Sequence, residues 1–137
     1  MSHLRSLRAI SLAGARALAE AGEAEARRRN WTVAIAVVDA AGGLVLFHCM
    51  DGTQPASQDI AIAKARTAAR FKRPTKSLED AIAGGRHALL GVEWALPLEG
   101  GLPIVIDGEI IGAVGVSGMA SPEDGVVAAA ALQALAR

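Results

Sequence analysis

The glycine-rich stretch GGLPIVIDGEIIGAVGVSG, residues 100 to 118, places six glycines within nineteen residues that otherwise favour β-strands. Asp107 and Gly108 between its two apolar runs predict a two-residue type I′ turn, because both central residues of that turn need a positive φ. Gly112 and Gly115 fall on opposite faces of the second strand. Each bare position admits either a closely packed helix or a ligand at backbone distance, and the pattern leaves both readings open.

A second hairpin is predicted nearer the amino terminus. The runs WTVAIAVVD, residues 31 to 39, and LVLFHCMD, residues 44 to 51, are rich in strand-forming residues and flank a small turn at residues 40 to 43. Apolar residues occupy both parities of the first run, which is typical of a strand covered on both faces.

Four helices complete the predicted order, each marked by a capping residue, a proline or a glycine pair. The first covers residues 11 to 29 with Ser11 as N-cap, and the second runs from Ser57 to about Lys72 and is ended by Pro74. The third is short and runs from Ser77, whose capping-box partner is Asp80, to Gly84. The last has Ser121 as N-cap and Pro122 at its first helical position. Antiparallel strands with helices on both faces predict a three-layer α+β domain.

Length and charge limit the class of protein. The 137 residues suit one domain, residues 1 to 137, and 14 basic against 14 acidic side chains give no field that would attract nucleic acid or an anionic membrane. Two Trp, two Phe and no Tyr provide few platforms for stacking bases. The single cysteine and the absence of a signal-peptide pattern predict a cytoplasmic protein without an intrachain disulfide.

Three sequence motifs fall short of known sites. GVSGM is not the G-x-S-x-G of a nucleophile elbow, and GEIIGAVG is not the G-x-G-x-x-G of a dinucleotide site. His48 and Met50 share one face of a strand while Cys49 points to the other, so the three cannot converge on one metal ion. No metal site is predicted.

Lys64 stands out on the second helix. It shares a helical stripe with Ile60, Thr67 and Phe71, and that stripe is expected to turn inward. One reading is that its methylenes cover the core edge while the ammonium stays in water. The other is an anion site, in which Lys64 and Thr67, with Arg73, receive a carboxylate.

The chain resembles the GlcG/HbpS family, which includes haem-binding HbpS and the C-terminal domain of PduO. The resemblance is carried in order by Met-Asp-Gly, Ala-Lys-Ala-x-Thr-Ala, Gly-Gly-x-Pro and Gly-Val-Ser-Gly elements within residues 50 to 118, and it covers nearly the whole chain. It implies a profilin-like domain with a five-stranded antiparallel sheet between helices, which associates into dimers or larger homo-oligomers.

The resemblance also implies a pocket near the glycine-rich strands and the second helix, where a small and anionic ligand would bind. The expected ligand-contacting residues are Lys64, Thr67, Phe71, Arg73, Gly101, Pro103, Gly115, Ser117 and Gly118.

Three functions remain open. The first is a homo-oligomeric binding domain for haem or another tetrapyrrole, with His48 or His87 as axial ligand. The second is a cofactor-free isomerase, hydratase or lyase acting on a small anionic carbonyl or enol compound, and the third is a scaffold that only assembles with a partner. The catalytic residues of the second would be Lys64 to hold a carboxylate, Ser117 to polarise oxygen, and Asp39 or Asp124 to move a proton.

Overall fold

The computed structural model describes residues 2 to 136, which form four α-helices, four β-strands and two short 3₁₀ helices. The elements are α1 (Leu12–Arg28), β1 (Ala34–Asp39), β2 (Leu44–Cys49), α2 (Ala56–Phe71), α3 (Thr75–Ala83), the 3₁₀ helix His87–Gly91, β3 (Gly101–Ile106), β4 (Glu109–Ser117), α4 (Ser121–Leu132) and the 3₁₀ helix Gln133–Leu135.

The sheet has the strand order β2-β1-β4-β3, and every neighbouring pair is antiparallel. The predicted α+β class is therefore confirmed, but the expectation of five strands is wrong, since residues 2 to 136 contribute four. The segment before α1 makes one backbone bond to the sheet, from the Ile10 amide to the Ile111 carbonyl at 2.9 Å. A one-residue register shift in the β3–β4 pair leaves Ile111 unpaired there, so the bond fills a bulge and does not start a ladder.

Two apolar layers cover the sheet. Helices α1 and α4 pack on one face, where Leu18, Ile35 and Val127 are fully buried. Helix α2 covers the other face through alanines such as Ala61 and Ala65. Residues 34 to 38 of β1 are all buried, as the apolar run on both parities predicted.

The predicted turns and helix ends are mostly confirmed. Asp107 and Gly108 have φ values of 50° and 76°, in agreement with a type I′ turn, and the Ser11 hydroxyl accepts a hydrogen bond from the Gly14 amide. No helix within residues 2 to 136 is long and apolar enough to cross a lipid bilayer.

Two helix starts were predicted wrongly. Helix α3 begins at Thr75 and not at Ser77, because Pro74 already holds the extended geometry that precedes a helix. Helix α4 is capped at Ala120 and not at Ser121, since the Glu123 side chain accepts the Ala120 amide. In both cases the N-cap is a residue other than the predicted serine.

Candidate functional site

Lys64 and Asp124 form an ion pair in the interior, with 3.0 Å between Lys64 Nζ and Asp124 Oδ2. Their side chains are 1% and 2% exposed, and Lys64 Nζ also donates to the Val116 carbonyl at 3.0 Å. Helix α2 presents the lysine on the inward stripe that its spacing predicted, and the first turn of α4 presents the aspartate. The carboxylate that Lys64 holds is therefore one of the protein's own.

Burial raises the pKa of the Asp124 carboxyl above its ordinary value. The Met119 amide, which donates to Asp124 Oδ1 at 2.9 Å, and the Lys64 ammonium both act in the opposite direction. The pair thus connects α2, β4 and α4 at a place where an unpaired charge would be costly.

The predicted hydroxyl groups also bond within the protein. Ser117 Oγ lies 3.1 Å from Ser57 Oγ, and both residues are buried. Thr67 Oγ1 donates to the Ala63 carbonyl and accepts the Leu96 amide at 2.9 Å. These contacts anchor the ends of α2 and the loop before β3.

Gly101 of β3 and Gly115 of β4 lie against the backbone of α2, whereas Gly112 of β4 lies against the Val38 carbonyl and the Ile10 side chain. A Cβ at Gly115 would collide with the Ala61 carbonyl oxygen, and one at Gly101 would collide with the Lys64 carbonyl. Of the two readings that the sequence left open, close packing of the helix is the one observed at these positions. A Cβ at Gly118 would likewise collide with the Thr32 carbonyl oxygen. Pro103 is half-buried on β3.

Phe71 and Arg73 lie on a separate, more open surface. The Phe71 ring stacks with Trp94 at a centroid distance of 5.4 Å, and the guanidinium groups of Arg70 and Arg73 lie over Trp94 and Phe71. Trp94 is 48% exposed and Leu90 is 64% exposed. This surface combines apolar area with two cations.

Asp39 lies far along the sheet from the Lys64 pair, at the other end of β1. Its Oδ1 accepts the amides of Ala41 and Gly43, each at 2.9 Å, and so closes the β1–β2 turn. Four of the predicted residues therefore lie on α2 or in contact with it: Lys64, Thr67, Ser117 and Asp124. Asp39 does not.

The two candidate haem ligands have different surroundings. His48 Nδ1 lies 2.6 Å from Glu23 Oε1, and its side chain is 33% exposed on the edge strand β2. The carboxylate can fix the ring and leave Nε2 free, the arrangement that second-shell carboxylates give to metal-binding imidazoles. His87 is exposed at the start of the 3₁₀ helix His87–Gly91, in the same segment as Leu90 and Trp94.

Several partners found here could not be predicted from the sequence. Glu23 pairs with Arg27 at 3.0 Å across one turn of α1, and its second contact, with His48, joins two elements 25 residues apart. Ser57 and Trp94 likewise acquire their roles only through contacts across the fold. No group of three or more His, Cys, Asp or Glu able to hold a metal ion occurs among residues 2 to 136.

Comparison with known proteins identifies the family. A family model described as haem degrading protein HbpS-like matches residues 10 to 133. The chain belongs to the HbpS-like family. Protein GlcG of Escherichia coli K12 is 47% identical over 103 residues, which is 75% of this chain and 77% of GlcG.

Solved structures of HbpS-like proteins agree with the fold. A double mutant of Streptomyces reticuli HbpS has a TM-score of 0.93 at 29% identity, covering 100% of this chain and 94% of its own. The structure described as a PduOC:Heme complex has a TM-score of 0.84 at 27% identity, covering 92% of this chain and 94% of its own. The family resemblance that the motifs carried is therefore confirmed.

Proposed function

We propose that this chain is a haem-binding domain that works as a homo-oligomer, with another tetrapyrrole as the related alternative ligand. The observation that carries the proposal is the match of a haem-degrading family model to residues 10 to 133. The similarity to a haem complex over 92% of the chain supports it.

His48 is the axial ligand that the geometry favours. Bound haem offers an iron that takes an imidazole nitrogen, and a flat apolar ring that carries two carboxylates. The Glu23 Oε1 atom lies 2.6 Å from Nδ1 of His48, so the carboxylate occupies that nitrogen and Nε2 is the one left for an iron. A ligand ring fixed in advance loses less entropy on binding than a freely rotating one.

The neighbours of His48 suit such a ligand in part. Leu46 and Met50 pack against the α1 side of the sheet, the face to which His48 belongs, and both are partly buried. Arg27 is exposed and lines a depression with Met50, Glu23 and Asp51, and it already pairs with Glu23, so a propionate would share its guanidinium with that carboxylate. The side chain of Cys49 points to the other face, where Gln58 donates to it.

His87 is the second candidate. It is exposed next to Arg86, and its segment carries the exposed apolar side chains of Leu90 and Trp94. An apolar surface with nearby cations suits a porphyrin and its propionates, but no carboxylate orients this ring among the described residues.

Titration of the purified protein with hemin tests both the function and the ligand. We expect a saturable shift of the Soret band, and we expect His48→Ala to abolish it. Glu23→Gln should lower the affinity for hemin by about tenfold, because a carboxylate that orients a ligating histidine typically contributes 10- to 100-fold. His3→Ala is the matched control, since His3 is exposed and outside both candidate positions, and it should leave the titration unchanged.

Two results would count against the proposal. A titration without a saturable Soret shift, or a shift that survives replacement of both His48 and His87, would remove haem ligation as described. Loss of the shift in His87→Ala alone would keep haem binding and overturn the choice of His48.

The arrangement of the buried polar groups does not favour the isomerase, hydratase or lyase alternative. Lys64 and Asp124 neutralise each other at 1% and 2% exposure, and Ser117 is bonded to Ser57. A substrate could reach this pair only after α2 or α4 had moved.

A further inference from the structure

A groove of about 640 Å³ lies between the two β-turns at one end of the sheet. The β1–β2 turn contributes Ala40 and Ala41, the β3–β4 hairpin contributes Gly108 and Ile110, and the chain before α1 contributes Leu7. Its volume falls in the range of about 300–1,000 Å³ that is typical of sites for drug-sized molecules. None of the residues considered for haem ligation lines it.

Both turns that border the groove are held in place. The Arg70 guanidinium donates to the Ala41 carbonyl at 3.2 Å, and Arg66 donates to the Gly42 carbonyl at 3.0 Å. On the opposite side Arg8 bonds Asp107 and Glu109. Walls fixed before binding favour affinity, because little order remains to be imposed on them.

The groove is lined by three cationic side chains, Arg5, Arg8 and Lys72, against the two acids Asp39 and Glu109. Glu109 is paired with Arg8, and Asp39 keeps its charge while its Oδ1 accepts two amides of its own turn. Arg5 and Lys72 line the groove and form no ion pair within residues 2 to 136. The groove therefore offers two uncommitted cations beside an apolar wall.

Lys72 is also held in a backbone conformation that lysine rarely adopts. It terminates α2 in the left-handed region with φ 58° and ψ 39°, where helices usually place glycine. A glycine at this position would adopt the same backbone conformation without strain, so Lys72→Gly removes the cation without a backbone cost to the fold.

We propose that this groove binds an amphipathic organic anion, an apolar body with a carboxylate or sulfonate that pairs with Arg5 and Lys72. Leu7, Ile110 and the alanines of the turn contact the apolar body. The site does not include the proposed haem ligands, and the proposal does not depend on haem binding.

Fluorescence titration with 8-anilinonaphthalene-1-sulfonate, an aromatic sulfonate, tests the proposal. We expect one site per chain, and we expect Arg5→Gln and Lys72→Gly each to weaken binding about two- to fivefold, because both side chains are exposed and ion pairs in water contribute little. N-phenyl-1-naphthylamine, the uncharged relative of the probe, should respond little to either change. Arg16→Gln, which removes an exposed arginine outside the groove, is the matched control.

Lys72→Gly separates a functional role from a structural one. Glycine relieves the left-handed strain, so thermal unfolding should move to higher temperature while sulfonate affinity falls. Lys72→Arg should keep the affinity. Unchanged binding in the Arg5→Gln/Lys72→Gly double variant, or an equal loss in Arg16→Gln, would overturn the proposal.

Discussion

At the scale of single residues, the most costly feature of the molecule is a lysine that has almost no contact with water. Lys64 is tolerated there because its ammonium meets one carboxylate and one carbonyl at 3.0 Å each. A buried ion pair is weak evidence for stability, but removing one partner leaves the other charge uncompensated. The same pair explains why Asp124, at a helix start, is buried when acids there are usually exposed.

Lys64→Met should therefore lower the free energy of unfolding by about 3–5 kcal/mol at pH 7, the usual cost of an unpaired buried charge. The raised pKa of Asp124 means that protonation favours the folded state, so this group's contribution is present in acid and is lost as the pH rises. Without Lys64 the pKa rises further, and the penalty should shrink as the pH falls from about 7 to 3. Urea unfolding at a series of pH values measures both effects.

Lys76→Met is the control for that experiment. Lys76 is exposed and pairs with Asp80 at 3.3 Å across one turn of α3, so its loss should leave the unfolding midpoint nearly unchanged. A Lys64→Met penalty below about 1 kcal/mol, or one that does not vary with pH, would contradict the assigned role of the pair.

At the scale of elements, the sheet and α2 approach each other more closely than side chains normally allow. Alanines on the helix face glycines on the strands, and Gly115 lies against the backbone of Ala61 and Ala65. Close approach is what brings the short hydroxyls of Ser57 and Ser117 within 3.1 Å of each other. The paucity of aromatic residues in the sequence is thus matched by thin layers in the structure.

Gly115→Ala should destabilise the fold by about 1–3 kcal/mol, because the added methyl group has no space and the helix must move. Gly91→Ala is a matched control, since nothing lies within 4 Å of a Cβ at Gly91. Thermal unfolding followed by circular dichroism compares the two. If both alanine variants unfold at the same temperature as the parent chain, the packing of α2 against Gly115 is not as close as described.

At the scale of the whole molecule, one sheet serves two cores. Strand β1 sends Ile35 and Val37 to the side of α1 and α4, and Ala34 and Ala36 to the side of α2. A layer on one face therefore cannot lose its packing without disturbing the strand that supports the other. The fold is expected to unfold as one cooperative unit.

The two tryptophans allow this to be measured, because Trp31 packs against the α1 side and Trp94 against Phe71 of α2. In Trp94→Phe and Trp31→Phe the remaining tryptophan reports on one face, and each fluorescence transition in urea should coincide with that variant's far-ultraviolet circular dichroism. Separate transitions in either variant would show that the two layers unfold independently.

The sequence alone determined the four α-helices, the two hairpins and their order, because a hairpin turn, a helix cap or an inward helical stripe depends on residues close together in the chain. It placed both hairpins, the inward direction of Lys64 and the family. Only the tertiary structure decided that Lys64 meets Asp124, that Glu23 orients His48 and that Arg5 and Lys72 share a groove. Those pairs join separate elements, and their distances depend on strand register, on a one-residue bulge and on how closely α2 can approach the sheet.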